Sequence, residues 1–271
     1  MQSGLRGFDA VAGPLPPGAV CCVAGRPCVG KTSLLIDVAL RVLQQQQTNV
    51  VFATAQQEAE RILLRLPRGA MARFMPLPSI DRLFDAIEQF PEPEPHVYLL
   101  DVQDVGAVQA QCVAHRLKLA SPAGCGLVVS DGWSVRPAAP TLIERVVDGH
   151  RYLLEWERPD RRLRTADLAQ ARRDASASGI AMLYGVGTAA REDMDGGPQI
   201  DDLREIGALV RAGGIGAVLL HRPELYLGHD EGRREIEGLV TLCSVTGGRE
   251  PRRSVLRYEP DERGFVDVAR H

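Results

Sequence analysis

No apolar run in the 271-residue sequence approaches the length needed to cross a bilayer. The amino terminus lacks a basic region followed by an apolar segment, so no signal peptide is expected and a cytoplasmic location follows. No long basic run occurs and the net charge is −3, so bulk electrostatics do not advertise a nucleic-acid binder; a locally basic channel remains compatible with that balance. The six cysteines form no C-x-x-C pair, and several lie in apolar runs, which reads as reduced, buried small hydrophobes. None of the six histidines pairs at metal-ligand spacing and there is no G-x-S-x-G, which argues against a zinc centre or a hydrolase triad. No internal repeat or domain boundary is visible. What is present is ordinary globular composition, 45% hydrophobic and 25% charged, enough for a sizeable core in one large α/β domain.

The organising stretch is Cys21–Leu35, CCVAGRPCVGKTSLL. Gly25, Arg26, Pro27, Cys28, Val29, Gly30, Lys31 and Thr32 satisfy the pattern G-x-x-x-x-G-K-[ST], and Ser33 opens the helical periodicity that runs to Leu43. The flanks also fit, since Ala19–Ala24 is a β-capable apolar run. A strand, a glycine loop and a helix are what this phosphate-binding motif needs. Glycine lets the backbone curl around an anion, and the N–H groups of the loop and first helical turn then point at phosphate oxygens. Lys31 can reach β- and γ-phosphates, and Thr32 supplies a hydroxyl for Mg²⁺.

The remaining chain alternates strands and helices. Strands are expected at Asn49–Thr54, His96–Asp101, Leu127–Asp131, Ile180–Tyr184 and Ile215–His221. Helices are expected at Gln56–Leu66, with Ile62, Leu63 and Leu66 facing the core, and at Asp81–Phe90, Val105–Leu119, Arg161–Ser178 and Leu203–Ala212. Met1–Gly18 reads as turn formers and proline-rich points. Ile143–Trp156 reads as a hairpin around Asp148-Gly149. Glu235–Val245, Arg253–Tyr258 and Gly264–Val268 read as a terminal antiparallel meander. Such alternation implies a doubly wound, mostly parallel sheet flanked by helices, with ligands at the carboxyl ends of its strands. The loop Gly25–Thr32, Gln56 and Asp131 all follow strand ends and should converge.

The ordered motifs resemble the ATPase domain of DnaB-type replicative helicases, in the RecA-like superfamily four group. Gly7-Phe8-Asp9, Gly13 and Pro17-Gly18 lead into the loop with its Arg26 and Pro27. Thr54-Ala55-Gln56-Gln57-Glu58 is similar to the family's S-L-E-M-S. Leu127–Asp131 is similar to the strand bearing the Mg²⁺-coordinating aspartate. Asp202-Leu203-Arg204-Glu205-Ile206-Gly207-Ala208 is similar to D-L-R-E-S-G-A-I. The resemblance runs from about Ser3 to Val268. It implies a single RecA-like P-loop NTPase domain over residues 1–271 with ATP and Mg²⁺ as ligands. Thr32 and Asp131 would serve the metal, and Gly25–Ser33 the nucleotide. Single-stranded DNA and a homo-oligomeric ring are the implied partners, with no membrane.

Three departures from the family's pattern are visible. Its catalytic glutamate falls on Gln56, which keeps the shape but cannot accept a proton; a shifted register would place Glu58 or Glu60 in that role. Its γ-phosphate-sensing glutamine falls at Tyr184-Gly185. Its K-x-R pair, which reaches the neighbouring subunit's nucleotide as an arginine finger, falls on Ser244-Val245-Thr246, with Arg249 the nearby arginine. The chain also begins almost at the ATPase domain, so the helical domain that contacts primase and the linker helix that docks on the next subunit are expected to be missing. Arg145, His150, Arg151, Tyr152 and Trp156 interleave base and aromatic around the hairpin, which fits a nucleic-acid contact or a plain surface or subunit hairpin. Two functional readings follow. One is a DnaB-type helicase core with impaired hydrolysis. The other is a nucleotide-sensing regulatory or scaffold protein that uses ATP binding for assembly.

Overall fold

The computed structural model describes residues 1–54, 62–66, 70–77, 94–101, 114–115, 117–119, 121, 123–134, 141–147, 150–156, 163–188, 199–222, 238–245, 252–260 and 264–268. In chain order its principal elements begin with α1 (Arg6–Ala12), β1 (Val20–Gly25), α2 (Lys31–Gln46), β2 (Asn49–Thr54), β3 (Phe74–Leu77) and β4 (Val97–Asp101). There follow β5 (Cys125–Ser134), β6 (Thr141–Val147), β7 (His150–Trp156), α3 (Thr165–Ser178) and β8 (Ala181–Gly187). The chain closes with α4 (Glu205–Arg211), β9 (Gly216–His221), β10 (Leu239–Val245), β11 (Arg253–Glu259) and β12 (Gly264–Asp267). Ten of these strands form one sheet in the order β12-β11-β10-β9-β1-β8-β5-β2-β4-β3, while β6 and β7 pair with each other.

From β3 across to β9 every neighbouring pair is parallel, and β10, β11 and β12 continue the sheet in antiparallel fashion. The expected α/β architecture, with its carboxyl-terminal meander, is therefore what the chain adopts. All six residues of β1 are buried, as befits a central strand covered on both faces. One face packs on α1 and α2 through residues such as Phe8, Leu34, Leu35, Val23 and Phe52. The other packs on α3 and α4 through Leu168, Ala171, Ile206, Cys22 and Tyr184. Helix α2 lies deep in the molecule, with nine of its sixteen residues buried, so the helix that opens at the glycine loop is fixed by the core.

The meander is clipped to α2 by polar groups. Asp37 accepts from the Phe265 backbone N–H at 2.8 Å and from Arg41 Nε at 2.9 Å, and Arg41 Nη2 donates to the Phe265 carbonyl at 2.8 Å. At the strand's end Asp267 accepts from the Arg6 and Gly7 N–H groups at the start of α1. Gly7 is needed there, because a Cβ would lie 2.6 Å from Ser254 Oγ.

Some elements depart from the expected reading. Arg6–Ala12 is helical rather than a run of turns, held by the burial of Phe8 and Val11. Phe74–Leu77 is a strand despite Pro76, which is tolerated because β3 is the sheet's edge. β5 and β8 run three residues beyond the expected Asp131 and Tyr184. The expected helix Leu203–Ala212 is broken into a 3₁₀ turn at Ile200–Leu203 and α4, with Arg204 between them at φ 50°, ψ −123°. Ile62 and Leu66 are buried and Leu63 packs partly buried against the core, as expected. The expected helix at Asp81–Phe90 lies outside the described residues. The hairpin is as expected, with Val147 paired to His150.

Candidate functional site

The glycine loop follows β1 and ends at the first residue of α2. Gly30, at φ 98°, is the residue that turns the chain into the helix, and as the N-cap it offers no side chain to the N–H groups of the first turn. Those unsatisfied donors and the helix dipole favour an anion there. Cys28 is exposed and also left-handed, at φ 64°. At Gly25 a Cβ would come within 2.8 Å of Val29 Cγ1 and 3.0 Å of the Leu220 carbonyl, so a larger residue would push the loop off β9.

Lys31 Nζ donates to the carbonyls of Gly25 at 2.9 Å and Arg26 at 2.7 Å. Two of the ammonium's three donors are thereby committed to the loop, leaving one for an incoming acceptor. Burial lowers the Lys31 pKa, while the negative charge at Asp131, and more weakly Cys28, works the other way. The Thr32 hydroxyl donates to Asp131 Oδ2 at 2.6 Å, joining positions 99 residues apart. Asp131 is 3% exposed. Burial raises its carboxyl above the usual range, opposed by the Thr32 hydrogen bond, the Lys31 charge, the Gly132 N–H and the Arg65 charge.

β5 carries Asp131 at a break in its pairing with β8, where the register shifts between Ser130 and Trp133 and Gly132 takes φ 98°. Such a bulge re-aims side chains next to a site. Across it, Gly185 of β8 makes room for the carboxylate, since a Cβ there would lie 2.2 Å from Asp131 Oδ1 and 2.7 Å from Leu35 Cδ1. Tyr184 points to the opposite face, 2% exposed among the residues packed on α3 and α4, with its ring tilted against Trp133 at 6.4 Å.

These groups border a cavity of about 530 Å³ whose walls include Lys31, Thr32, Asp131, Arg65, Arg222 and Tyr258. That size lies in the range of small-molecule sites. Pro27–Ser33 also reach its wall, whereas Gly25 and Arg26 act from behind through the carbonyls that hold Lys31. Tyr258 packs tilted against Phe265 at 5.2 Å between ring centres, putting an aromatic edge of the meander at the cavity. Sequence reasoning did not pick out Arg65, Arg222, Trp133 or Tyr258 for this wall. Arg65 and Tyr258 lie in segments whose local signal is helix or strand, Trp133 and Arg222 lie just past expected strands, and the tertiary fold brings the four together.

Gln56, Glu58 and Arg249 lie outside the described residues. Ser244 is 3% exposed in β10; its hydroxyl accepts from the Arg252 N–H at 2.8 Å, so it is committed to the meander rather than projecting outward. Arg204 is exposed at its strained turn. Among the described residues no group of three or more potential ligands gathers for a metal, and no helix is long and apolar enough to cross a membrane.

The donor set nonetheless fits a phosphate-bound divalent ion. A hydroxyl and a carboxylate face each other beside an ammonium at a helix amino terminus, and such ions take few protein ligands when phosphates supply the rest. The hydroxyl oxygen of Thr54, on the neighbouring strand, is buried without a hydrogen-bond partner among the described residues.

The family model described as DnaB-like helicase C terminal domain matches residues 1–72. No curated protein sequence matches the chain. Among solved structures the chain is similar to an ATPase domain solved on its own, with a TM-score of 0.64 at 16% identity over 99% of this chain and 91% of that one. It is also similar to a DnaB-like replicative helicase described with its interactions with primase, with a TM-score of 0.62 at 15% identity over 99% of this chain and 62% of that one. The chain therefore spans less than two thirds of the second structure's length. At these identities the likeness shows a shared fold, and the family model covers the amino-terminal 72 residues, through the glycine loop, α2 and β2.

Proposed function

We propose that the chain is an ATP- and Mg²⁺-binding core of the DnaB helicase class, one RecA-like unit over residues 1–271, cytoplasmic, with impaired hydrolysis. The observation that carries this reading is the 2.6 Å bond between Thr32 and Asp131 beside Lys31 and the uncapped start of α2. Loop and helix N–H groups receive the phosphates, and Lys31 turns its remaining donor toward them. Thr32 and Asp131 would hold the Mg²⁺, which when bound would supply positive charge against the phosphates. The edge of Tyr258 offers the nucleoside an aromatic surface.

The impairment rests on positions where a helicase of this class needs functional groups. Gly185 has no side chain to sense the γ-phosphate, and the Asp131 carboxylate occupies the space where one would start. Tyr184 faces the other layer. Ser244 is buried and neutral, so it cannot reach a neighbouring subunit as a charged finger. Gln56 cannot take a proton from water, and general-base help is worth about 10²–10⁴-fold. Exposed Arg204, held in a backbone region that costs energy for a non-glycine residue, is read as a structural or site-supporting residue after the segment where the resemblance places the single-stranded DNA contact.

Turnover at saturating ATP, with and without single-stranded DNA, tests the reading. The native chain should hydrolyse slowly, and Gln56→Glu should raise the rate with little change in ATP affinity. A native rate typical of working helicases, insensitive to Gln56→Ala and lost in Glu58→Gln, would overturn it in favour of the shifted register. Tight binding with no turnover in either form would favour the regulatory or scaffold role.

A further inference from the structure

Thr54 closes β2 in register with Asp131 of β5. Along β2, Val50 and Phe52 pack into the layer beneath α2, as Leu127 and Val129 of β5 do. Alternation places Thr54 and Asp131 next on that same face, side by side on adjacent strands. Thr54 is 0% exposed, and its hydroxyl has no hydrogen-bond partner among the described residues. Strand propensity does not explain a threonine here. Valine has the same shape and propensity, and it would avoid the penalty of a buried, unbonded hydroxyl.

The neighbouring carboxylate shows why the hydroxyl has no partner among the described residues. Asp131 Oδ2 is taken by Thr32. Oδ1 leans over Gly185 of β8, and β8 lies on the side of β5 opposite to β2. The carboxylate thus turns away from Thr54. A divalent ion held by Thr32 and Asp131 keeps several waters of its own, and the hydroxyl can give or accept a hydrogen bond with one of them. We propose that Thr54 is a positioning residue for the magnesium–nucleotide state, its hydroxyl fixing a metal-bound water on the β2 side of Asp131.

This rests on the reading of the site as an ATP–Mg²⁺ site, and the test separates the two. The full chain, Thr54→Val and Thr54→Ser are compared by thermal unfolding without ligand. Equilibrium dialysis with labelled ATP follows, in magnesium and in EDTA. Without ligand, Thr54→Val should melt at or above the native temperature, because an unbonded buried hydroxyl has been removed. Its affinity in EDTA should match the native chain, while the magnesium-dependent gain should shrink about 3- to 10-fold, the equivalent of one ordinary hydrogen bond. Thr54→Ser should restore the gain.

A valine variant that keeps the full gain, loses affinity equally in EDTA, or melts below the native chain would overturn the inference. So would a serine variant that behaves as valine does. A native chain showing no magnesium-dependent gain would instead remove the site reading itself, and this inference with it.

Discussion

Gly185→Ala tests the arrangement around Asp131 most sharply. Gly185 does not sit at a positive φ, so alanine brings no backbone strain, and its smaller unfolded-state entropy favours folding by about 0.4–1 kcal/mol. Against that stands the methyl group. At 2.2 Å from Asp131 Oδ1 and 2.7 Å from Leu35 Cδ1, it cannot be accommodated unless one of them moves. Leu35 is fully buried, so the carboxylate must rotate, which breaks the 2.6 Å bond from Thr32. Overpacking costs about 1–3 kcal/mol, and a hydrogen bond to a charged group contributes about 1.5–3 kcal/mol. After the entropic gain the net loss should be about 1.5–5.6 kcal/mol. At roughly 2–4 °C per kcal/mol for a chain of this size, melting should fall by about 3–22 °C. Gly187→Ala is the control, because its Cβ would meet only the Trp133 carbonyl at 3.4 Å, and its melting temperature should be unchanged or slightly higher. Thermal unfolding of the two variants, with ATP dialysis in magnesium, supplies the numbers. If Gly185→Ala melts with the native protein and keeps its magnesium-dependent affinity, Asp131 is not held where the argument needs it.

Other expectations follow from single interactions. Asp37→Ala leaves the buried Phe265 N–H and the Arg41 guanidinium without their shared acceptor. It should cost about 1–3 kcal/mol, read by urea unfolding, and should release the meander from α2, read as faster amide exchange at Phe265. His221 has its pKa lowered by burial and by the Arg26 charge. The folded state therefore resists the proton that the unfolded chain takes up at its ordinary 6.5. Stability is highest above that value and declines as pH falls from it toward the lowered folded pKa. His221→Gln should flatten that part of a stability–pH profile, and an unchanged slope would show that other groups set it.

The parts of the molecule legible in the sequence are those encoded locally. Gly25–Ser33 could be read because one loop carries glycines, lysine and threonine at fixed spacing, and Asp131 because it ends a short apolar run. The parallel sheet was legible through alternation, and the meander through three β-rich segments near the end. β3 was hidden by Pro76, which only an edge position excuses. α1 was hidden because seven residues beside proline-rich turns carry little periodicity. The helix break at Arg204 was invisible because nothing in a D-L-R-E run signals a positive φ. The cavity's other walls, Arg65, Arg222 and Tyr258, come from segments far apart in the chain. The space for Asp131 depends on Gly185, which in sequence reads only as part of the Tyr184-Gly185 departure from the family's glutamine. Its role is visible only when the distance to the carboxylate is measured.

The central claim is that the loop, Thr32 and Asp131 form a nucleotide–magnesium site. Equilibrium dialysis of labelled ATP against the folded full chain tests it directly, in magnesium and in EDTA, beside Lys31→Ala. The account predicts saturable binding by the native chain, tighter in magnesium, and a marked loss in Lys31→Ala, where a charge facing two phosphates is gone. No saturable binding by the folded native chain, or equal binding by Lys31→Ala, would contradict it.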